Sequence, residues 1–456
     1  MVAADLSPPV PDTSAEAQGR LRRVLGVPSL VLFGLVYMVP LTVFTTYGIV
    51  TQMTGGRLSL TYLVTLAAMV FTARSYARMS TVYPLAGSAY TYTQKTFGAP
   101  VGFLAGWSLL LDYLFLPMLN YLVIGIYLSA AIPAVPPWIW ILTSIALVTA
   151  LNIVGIVSVA RANALVIGLQ ALFIAVFVTL SVVTISGSGT VDLLAPLTGD
   201  GSVAGAGPVL SGAAILCLSF LGFDAISTLS EESKDPTHSV PRAIMISTVI
   251  SGLIFFALSY VSQLVFPSNK FADIESGSLD VMTAAGGQFL NTFFTATYVV
   301  AAIGCALTSQ ASVARILFAM GRDGVLSRRV LGHLSQRFST PTFAILVVSV
   351  FSLIAIWINL EALASIISFG ALVAFSAVNL TVVKHYFIDQ AQRSGVEILT
   401  NFALPLIGLA LTAWLWTNLS ELTMVVGLTW LTIGFAWLAI EARGFRRPTP
   451  VLDLNE

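Results

Sequence analysis

Phe220-Leu-Gly-Phe-Asp-Ala-Ile-Ser-Thr-Leu-Ser-Glu-Glu-Ser-Lys-Asp-Pro236 starts as a run apolar enough for a membrane and then sets a carboxylate, Asp224, directly after a Gly-Phe pair. An aspartate at the centre of a spanning helix costs about 3 kcal/mol and marks a functional site by default, with a partner to be found. What Asp224 faces therefore decides how the chain is read.

Outward from this stretch the composition is that of a polytopic membrane protein. The 456 residues are 57% hydrophobic and 9% charged, with a mean hydropathy of +0.91, whereas soluble domains carry about 25% charge. Apolar runs recur along nearly the whole length, each long enough for a hydrocarbon core of about 30 Å. Twelve candidate spans lie near 28–52, 58–80, 100–131, 137–157, 162–185, 207–231, 241–266, 283–320, 341–358, 361–384, 401–418 and 422–441. An even count puts both termini on one side. With that side assigned to the cytoplasm, all but Arg57 and Lys270 of the 21 Lys and Arg fall inside, the asymmetry of the positive-inside rule. The expectation is a multi-pass protein of the cell inner (plasma) membrane with cytoplasmic tails at 1–26 and 442–456. The formal net charge of zero gives no reason to expect nucleic acid as a partner. Cys217 and Cys305 fall inside apolar runs and read as packing residues.

Two spans are interrupted. The first, Phe33-Gly-Leu-Val-Tyr-Met-Val-Pro-Leu-Thr-Val-Phe-Thr-Thr-Tyr-Gly-Ile-Val50, carries Pro40 at its centre, which removes a backbone donor and clashes with the preceding turn. The sixth carries Gly222. Interrupted helices five spans apart point to a transporter built from inverted repeats, with unwound backbone lining a cavity. The third span holds a second acid in Leu109-Leu-Leu-Asp-Tyr-Leu-Phe-Leu-Pro-Met118, where Asp112 and Tyr113 can border one cavity and Pro117 loosens the helix beyond them. Neither acid has a basic partner at depth, and either could instead be carried neutral on a backbone carbonyl. His238, His333 and His385 sit in loops or at a span end without metal-ligand spacing. No phosphate-cradling loop, hydrolase elbow, zinc motif or cofactor motif occurs, which weighs against ATP-driven transport and membrane-embedded hydrolysis.

Gly-Phe-Asp-Ala followed by Leu-Ser-Glu-Glu-Ser-Lys-Asp-Pro236 and Val-Pro-Arg-Ala243 resembles the sixth-span signature of the amino acid, polyamine and organocation (APC) transporters. Ala86-Gly-Ser-Ala-Tyr-Thr-Tyr-Thr-Gln-Lys95, Gly106-Trp, Leu111-Asp-Tyr-Leu-Phe-Leu-Pro117 and Met320-Gly-Arg-Asp-Gly324 are similar to those of bacterial putrescine importers. The resemblance implies an all-α membrane protein of twelve transmembrane helices: two inverted five-helix repeats of the LeuT type (27–185 and 207–384) plus two further spans (401–441). It also implies a substrate held between the broken first and sixth helices, and roles in transport for an acid at Asp224 and a tyrosine at Tyr113. Amino-acid-transporting relatives have a Gly-rich first-span break whose amides bind the α-carboxylate, whereas Tyr37-Met-Val-Pro-Leu-Thr42 is bulky and lacks a donor at Pro40. Some proton-coupled relatives place a lysine on the fifth span, where this chain has Gln170 and apolar residues.

Two unpaired acids without an anion nest ask for a ligand with two cationic groups and no carboxylate, so an aliphatic diamine such as putrescine is the expected substrate of a secondary, proton-coupled importer. Asp224 would take one amine and Asp112 with Tyr113 the other, while Tyr37, Phe220 and Phe223 stack along the stem. Met38 and Thr42 border the break, and Ser309 is a further wall candidate. A proton and membrane lipid are the other expected partners, and no cofactor or metal is expected. A cationic amino acid permease, an amino acid/amine exchanger and an amine-binding membrane sensor remain as alternatives.

Overall fold

A computed structural model describes residues 23–85, 88–154, 159–187, 189, 191–322, 328–331, 335, 338 and 340–441. Most of both tails, His333, Arg337, and positions 86–87 and 323–324 of the quoted motifs lie outside the described residues. Among the described residues helix is the regular structure, apart from one isolated bridge between Leu25 and Ser233.

The first span runs as Val27–Met38, Pro40–Phe44 and Tyr47–Met53. Spans two to five are Leu58–Val82, Ala99–Ala131, Pro137–Val154 and Val159–Gly187. The sixth comprises Gly207–Leu216, Cys217–Phe220 and Ala225–Glu232, and the seventh is Pro236–Val265. The eighth is Ser278–Arg322, the ninth Thr342–Ser352 with Leu353–Ile356, and the tenth Leu360–Val382 extended by Val383–Asp389. Gly395–Ile398, Leu399–Ala403 and Leu404–Thr417 make the eleventh, and Glu421–Glu441 the twelfth. Eleven of these are long and apolar enough to cross a membrane, and the ninth is a shorter apolar helix.

Both expected interruptions are present. Val39 leaves the helix at φ 45°, ψ 96°, immediately before Pro40, whose ring disfavours a helical conformation in the residue before it. In the sixth span Leu221 turns extended (φ −61°, ψ 125°) and Gly222 takes φ 127°, a region that only glycine enters cheaply. The half-helix before the first break and the one after the sixth-span break are tied together. Val24 and Leu25 donate backbone hydrogen bonds to the Glu232 carbonyl at 2.9 and 3.0 Å, and Lys234 N donates to Leu25 O at 3.0 Å. Gly34 lets Ile226 approach so closely that an added Cβ would lie 2.6 Å from its Cδ1.

Three features differ from the sequence expectation. Ser88–Phe97 forms a helix between the second and third spans; its polar composition hides it from a hydropathy reading, although Ser88, Ala89, Tyr90, Thr91, Tyr92 and Thr93 are buried. Pro117 does not interrupt the third span, which continues as helix from Ala99 to Ala131. Packing against the eighth and tenth spans holds the turn that has lost one hydrogen bond. The eighth span is kinked near its start, where Gly287 takes φ 63°.

The segment between spans seven and eight packs on the outer half of the first span. Phe271 meets the Tyr47 ring at 6.0 Å, and Gly48 sits directly beneath the Ile274 carbonyl and Gly277 Cα. Glu275 Oε1 accepts a hydrogen bond from Leu360 N at 2.9 Å, fastening this segment to the start of span ten. Burial raises the Glu275 carboxyl above its ordinary range, the Leu360 amide works in the opposite direction, and Asp273 and Glu361 add to the rise. With the folded-state value above the unfolded one, the folded protein binds the extra proton, so this group's contribution to stability increases as pH falls toward the ordinary glutamate range. Glu275→Gln keeps an acceptor for Leu360 without the charge. It should flatten that part of the melting temperature's pH dependence in detergent between pH 7 and 5, and an unchanged slope would exclude Glu275 as its source.

Candidate substrate-binding site

The breaks in spans one and six face each other. Tyr37, on the last turn before the first break, lies against Gly222, where an added Cβ would sit 2.6 Å from Tyr37 Cδ1. Beside this contact opens a small pocket, with about 40 Å³ open to the centres of water-sized groups. Span one contributes Tyr37, Met38, Val39, Thr42 and Thr45, span three Leu116, Leu119 and Asn120, span six Leu218 and Leu221, and span eight Tyr298, Ala301, Ala302 and Cys305. The spacings on spans three and eight are those of single helix faces. No charged residue lines the pocket.

Both acids lie next to it, on the side of the chain's N-terminus. Asp112 precedes Leu116 by one turn on the same face, about 6 Å along the axis. Asp224 follows Leu221 by three residues. Asp112 and Asp224 are 7% and 6% exposed, and among the described residues no Lys, Arg or His forms an ion pair with either. One oxygen of Asp112 has no hydrogen-bond partner. The Asp224 side chain accepts a hydrogen bond from Gly222 N at 3.2 Å, and its carbonyl is bound by Ser227 N at 3.0 Å and Ser227 Oγ at 2.6 Å. The two acids lie within electrostatic reach of each other and of the Tyr37 and Tyr113 phenols. Tyr76 and Tyr92 also feel Asp224, and Ser88 lies beside it. The Tyr76, Tyr92 and Ser88 hydroxyls are buried without a complete hydrogen bond. Buried polar groups are ordinarily satisfied, so the unpartnered Asp112 oxygen makes this cluster a candidate site for a ligand or water.

Of the residues singled out from sequence, Tyr37, Met38 and Thr42 line the pocket, while Asp112, Tyr113 and Asp224 cluster at its margin on the side of the chain's N-terminus. Thr42 Oγ1 donates to Met38 O at 3.1 Å across the break. Phe220 and Phe223 are fully buried and point elsewhere. Phe220 packs edge-on to Phe255 at 5.4 Å, and Phe223 packs on Tyr76 at 5.4 Å and Phe375 at 5.1 Å. These contacts brace the unwound segment from behind. Ser309 bonds back to Cys305 O at 2.7 Å and lies one turn beyond the pocket wall. Gln170 is buried with its Oε1 unpartnered, away from the pocket lining. Sequence reading missed Thr45, Asn120 and Tyr298. Asn120 could have been found as two turns beyond Asp112 on its face, and Tyr298 as the bulky end of the stripe Tyr298, Ala301, Ala302, Cys305.

The amino acid permease family model matches residues 29–439. The chain is 38% identical over 436 residues to the low-affinity putrescine importer PlaP of Escherichia coli (strain K12), covering 94% of this chain and 96% of that protein. It is 27% identical to the branched-chain amino acid permease BcaP of Bacillus subtilis (strain 168), over 91% of this chain and 92% of the relative. A crystal structure of MhsT in complex with L-phenylalanine superposes with a TM-score of 0.60 at 14% identity, covering 88% of this chain and all of that one, a likeness that supports the LeuT-type fold. The broken first and sixth spans around a buried acid, the twelve-helix order and the family match over nearly the full length agree: this chain is a multi-pass membrane transporter of the amino acid permease family, within the amino acid, polyamine and organocation superfamily.

Proposed function

We propose that this transporter imports a small aliphatic diamine, putrescine fitting best, with both termini in the cytoplasm and with 27–185 and 207–384 as its inverted halves. The observation that carries the reading is the pair Asp112 and Asp224, both buried, both without a basic partner, beside an apolar pocket without charge. An ammonium between them supplies the missing counter-charge through charge-assisted hydrogen bonds. Asp224 is the primary anchor, with Asp112 and Tyr113 beside it and Tyr37, Met38 and Thr42 along the stem. The similarity to a putrescine importer over 94% of the chain supports the same substrate class.

A carboxylate on the ligand is disfavoured for a local reason. Helix breaks bind anions through free amide groups, but here Pro40 has none, Val39 N is taken by Val36 O at 3.3 Å, and Gly222 N is taken by Asp224 itself. An α-carboxylate would meet two acids and none of these break amides, and like-charge juxtaposition costs several kcal/mol. Ornithine, which is putrescine bearing an α-carboxylate, should therefore compete at least about 100-fold more weakly in vesicle uptake. Equal competition by ornithine or lysine would replace this reading with a cationic amino acid permease.

Coupling follows from the same groups. A dication moving inward across about 100 mV gains roughly 4.6 kcal/mol, twice the single-charge value, and the acids offer a proton site when the amine leaves. Uptake into reconstituted vesicles, with pH gradient and potential varied independently, tests the proton-coupled form. Accumulation driven by pH gradient at zero potential is the expected result, and accumulation that follows potential alone would remove the proton from the scheme.

A further inference from the structure

The pocket has an end wall opposite the acids. Thr45 and Tyr298 hydrogen-bond to each other, hydroxyl to hydroxyl, across spans one and eight. They are 2% and 7% exposed, yet both line the pocket. Behind them stands an aromatic block. Tyr127 packs on Tyr298 at 4.9 Å, Phe294 on Phe44 at 5.4 Å, and Phe173 and Phe177 close on Phe44 at 6.3 and 5.5 Å. Tyr127 OH also donates to Phe44 O at 2.8 Å, fixing the backbone next to Thr45. This wall cannot yield by a side-chain rotation, because every ring in it is held by others.

Between the wall and the acids the pocket lining is mostly apolar, with Thr42 and Asn120 as its polar side chains. Ala301 and Ala302 provide room on span eight, while Leu119 and Leu221 provide methyl surface on spans three and six. A ligand with one ammonium at Asp224 and its stem in this channel has its far end delivered to the Thr45 and Tyr298 oxygens. We propose that the Thr45–Tyr298 pair is the length stop of the substrate site, accepting the second ammonium of a short diamine and excluding longer amines. The inference rests on the diamine reading above and adds the residues that measure the chain. Discrimination follows from the wall: a longer amine must displace packed rings, whereas a shorter one leaves its ammonium without acceptors. One methylene in a tight apolar slot is worth about 10- to 200-fold.

The test is competition by α,ω-diamines of three to seven carbons, butylamine and spermidine, against wild type, Tyr298→Phe, Tyr298→Ala and Thr45→Ala. Binding is read separately from transport through Cys305, which lines the pocket while Cys217 is fully buried, as protection from N-ethylmaleimide. Wild type should prefer a short diamine over both butylamine and the seven-carbon diamine. Tyr298→Ala should move the optimum to a longer diamine and raise the ratio of long to four-carbon affinity at least tenfold, with Thr45→Ala shifting it in the same direction. Tyr298→Phe should keep the length order while narrowing the advantage of putrescine over butylamine. If Tyr298→Ala does not reach the membrane, Thr45→Ala decides the matter. An unchanged length order in the alanine variants that fold overturns the length stop and leaves the diamine reading standing. A wild type that neither transports nor is protected by any diamine overturns both.

Discussion

Asp224→Asn is expected to reduce uptake to background while the protein folds and inserts normally. The substitution is isosteric, and the asparagine oxygen can still accept the Gly222 amide that now binds Asp224 at 3.2 Å, so the unwound segment keeps its local closure. What disappears is the charge that a substrate ammonium would neutralise. Removing one partner of a buried, hydrogen-bonded charge pair costs about 2–5 kcal/mol, a loss of about 30- to 4,000-fold in affinity. Radiolabelled putrescine uptake, normalised to surface protein and accompanied by a melting curve in detergent, checks this. Uptake near wild-type level in a normally inserted variant would show that Asp224 is a structural acid and that the substrate binds elsewhere.

Gly222→Ala carries the second large effect, and here the fold itself is the target. At φ 127° an alanine is strained whatever surrounds it, at about 1–3 kcal/mol. Its Cβ would also stand 2.6 and 3.0 Å from Tyr37 Cδ1 and Cβ, so the first-span ring must leave its seat. The two breaks would then no longer meet. A lowered melting temperature and at least a tenfold loss of uptake are expected, with the double variant Gly222→Ala, Tyr37→Ala regaining part of the stability because the clash is gone while the backbone strain stays. If the single variant transports and melts like wild type, the contact between the two breaks does not matter for the cycle.

The membrane class, the span positions and both interruptions were legible in the sequence because each follows from local chemistry. Long runs of apolar residues favour spanning, Pro40 disfavours a helical conformation in its predecessor, and Gly222 readily takes the positive φ of the unwound turn. Asp112 and Asp224 were legible as candidate site residues because a charge in a helix centre has few structural excuses. The helix at Ser88–Phe97 was not legible, because its burial comes from tertiary packing around polar side chains that hydropathy counts as loop.

Phe220 and Phe223 show where local reading ends. Both stand next to the break, and sequence alone cannot say that one turns to Phe255 and the other to Tyr76 and Phe375, since an unwound backbone has no fixed period from which to project side-chain direction. Nor could it place the acids together at one margin of the pocket instead of at its two ends, or find the Thr45–Tyr298 wall, which joins residues 253 positions apart. The sequence by itself determined that this protein spans a membrane, breaks two of its helices and buries unpaired acids near the breaks, because hydrophobicity, proline sterics and the cost of desolvating a charge act residue by residue. Only the tertiary structure decided which polar atoms share one cavity and where that cavity stops, because those depend on how helices far apart in the chain pack against each other.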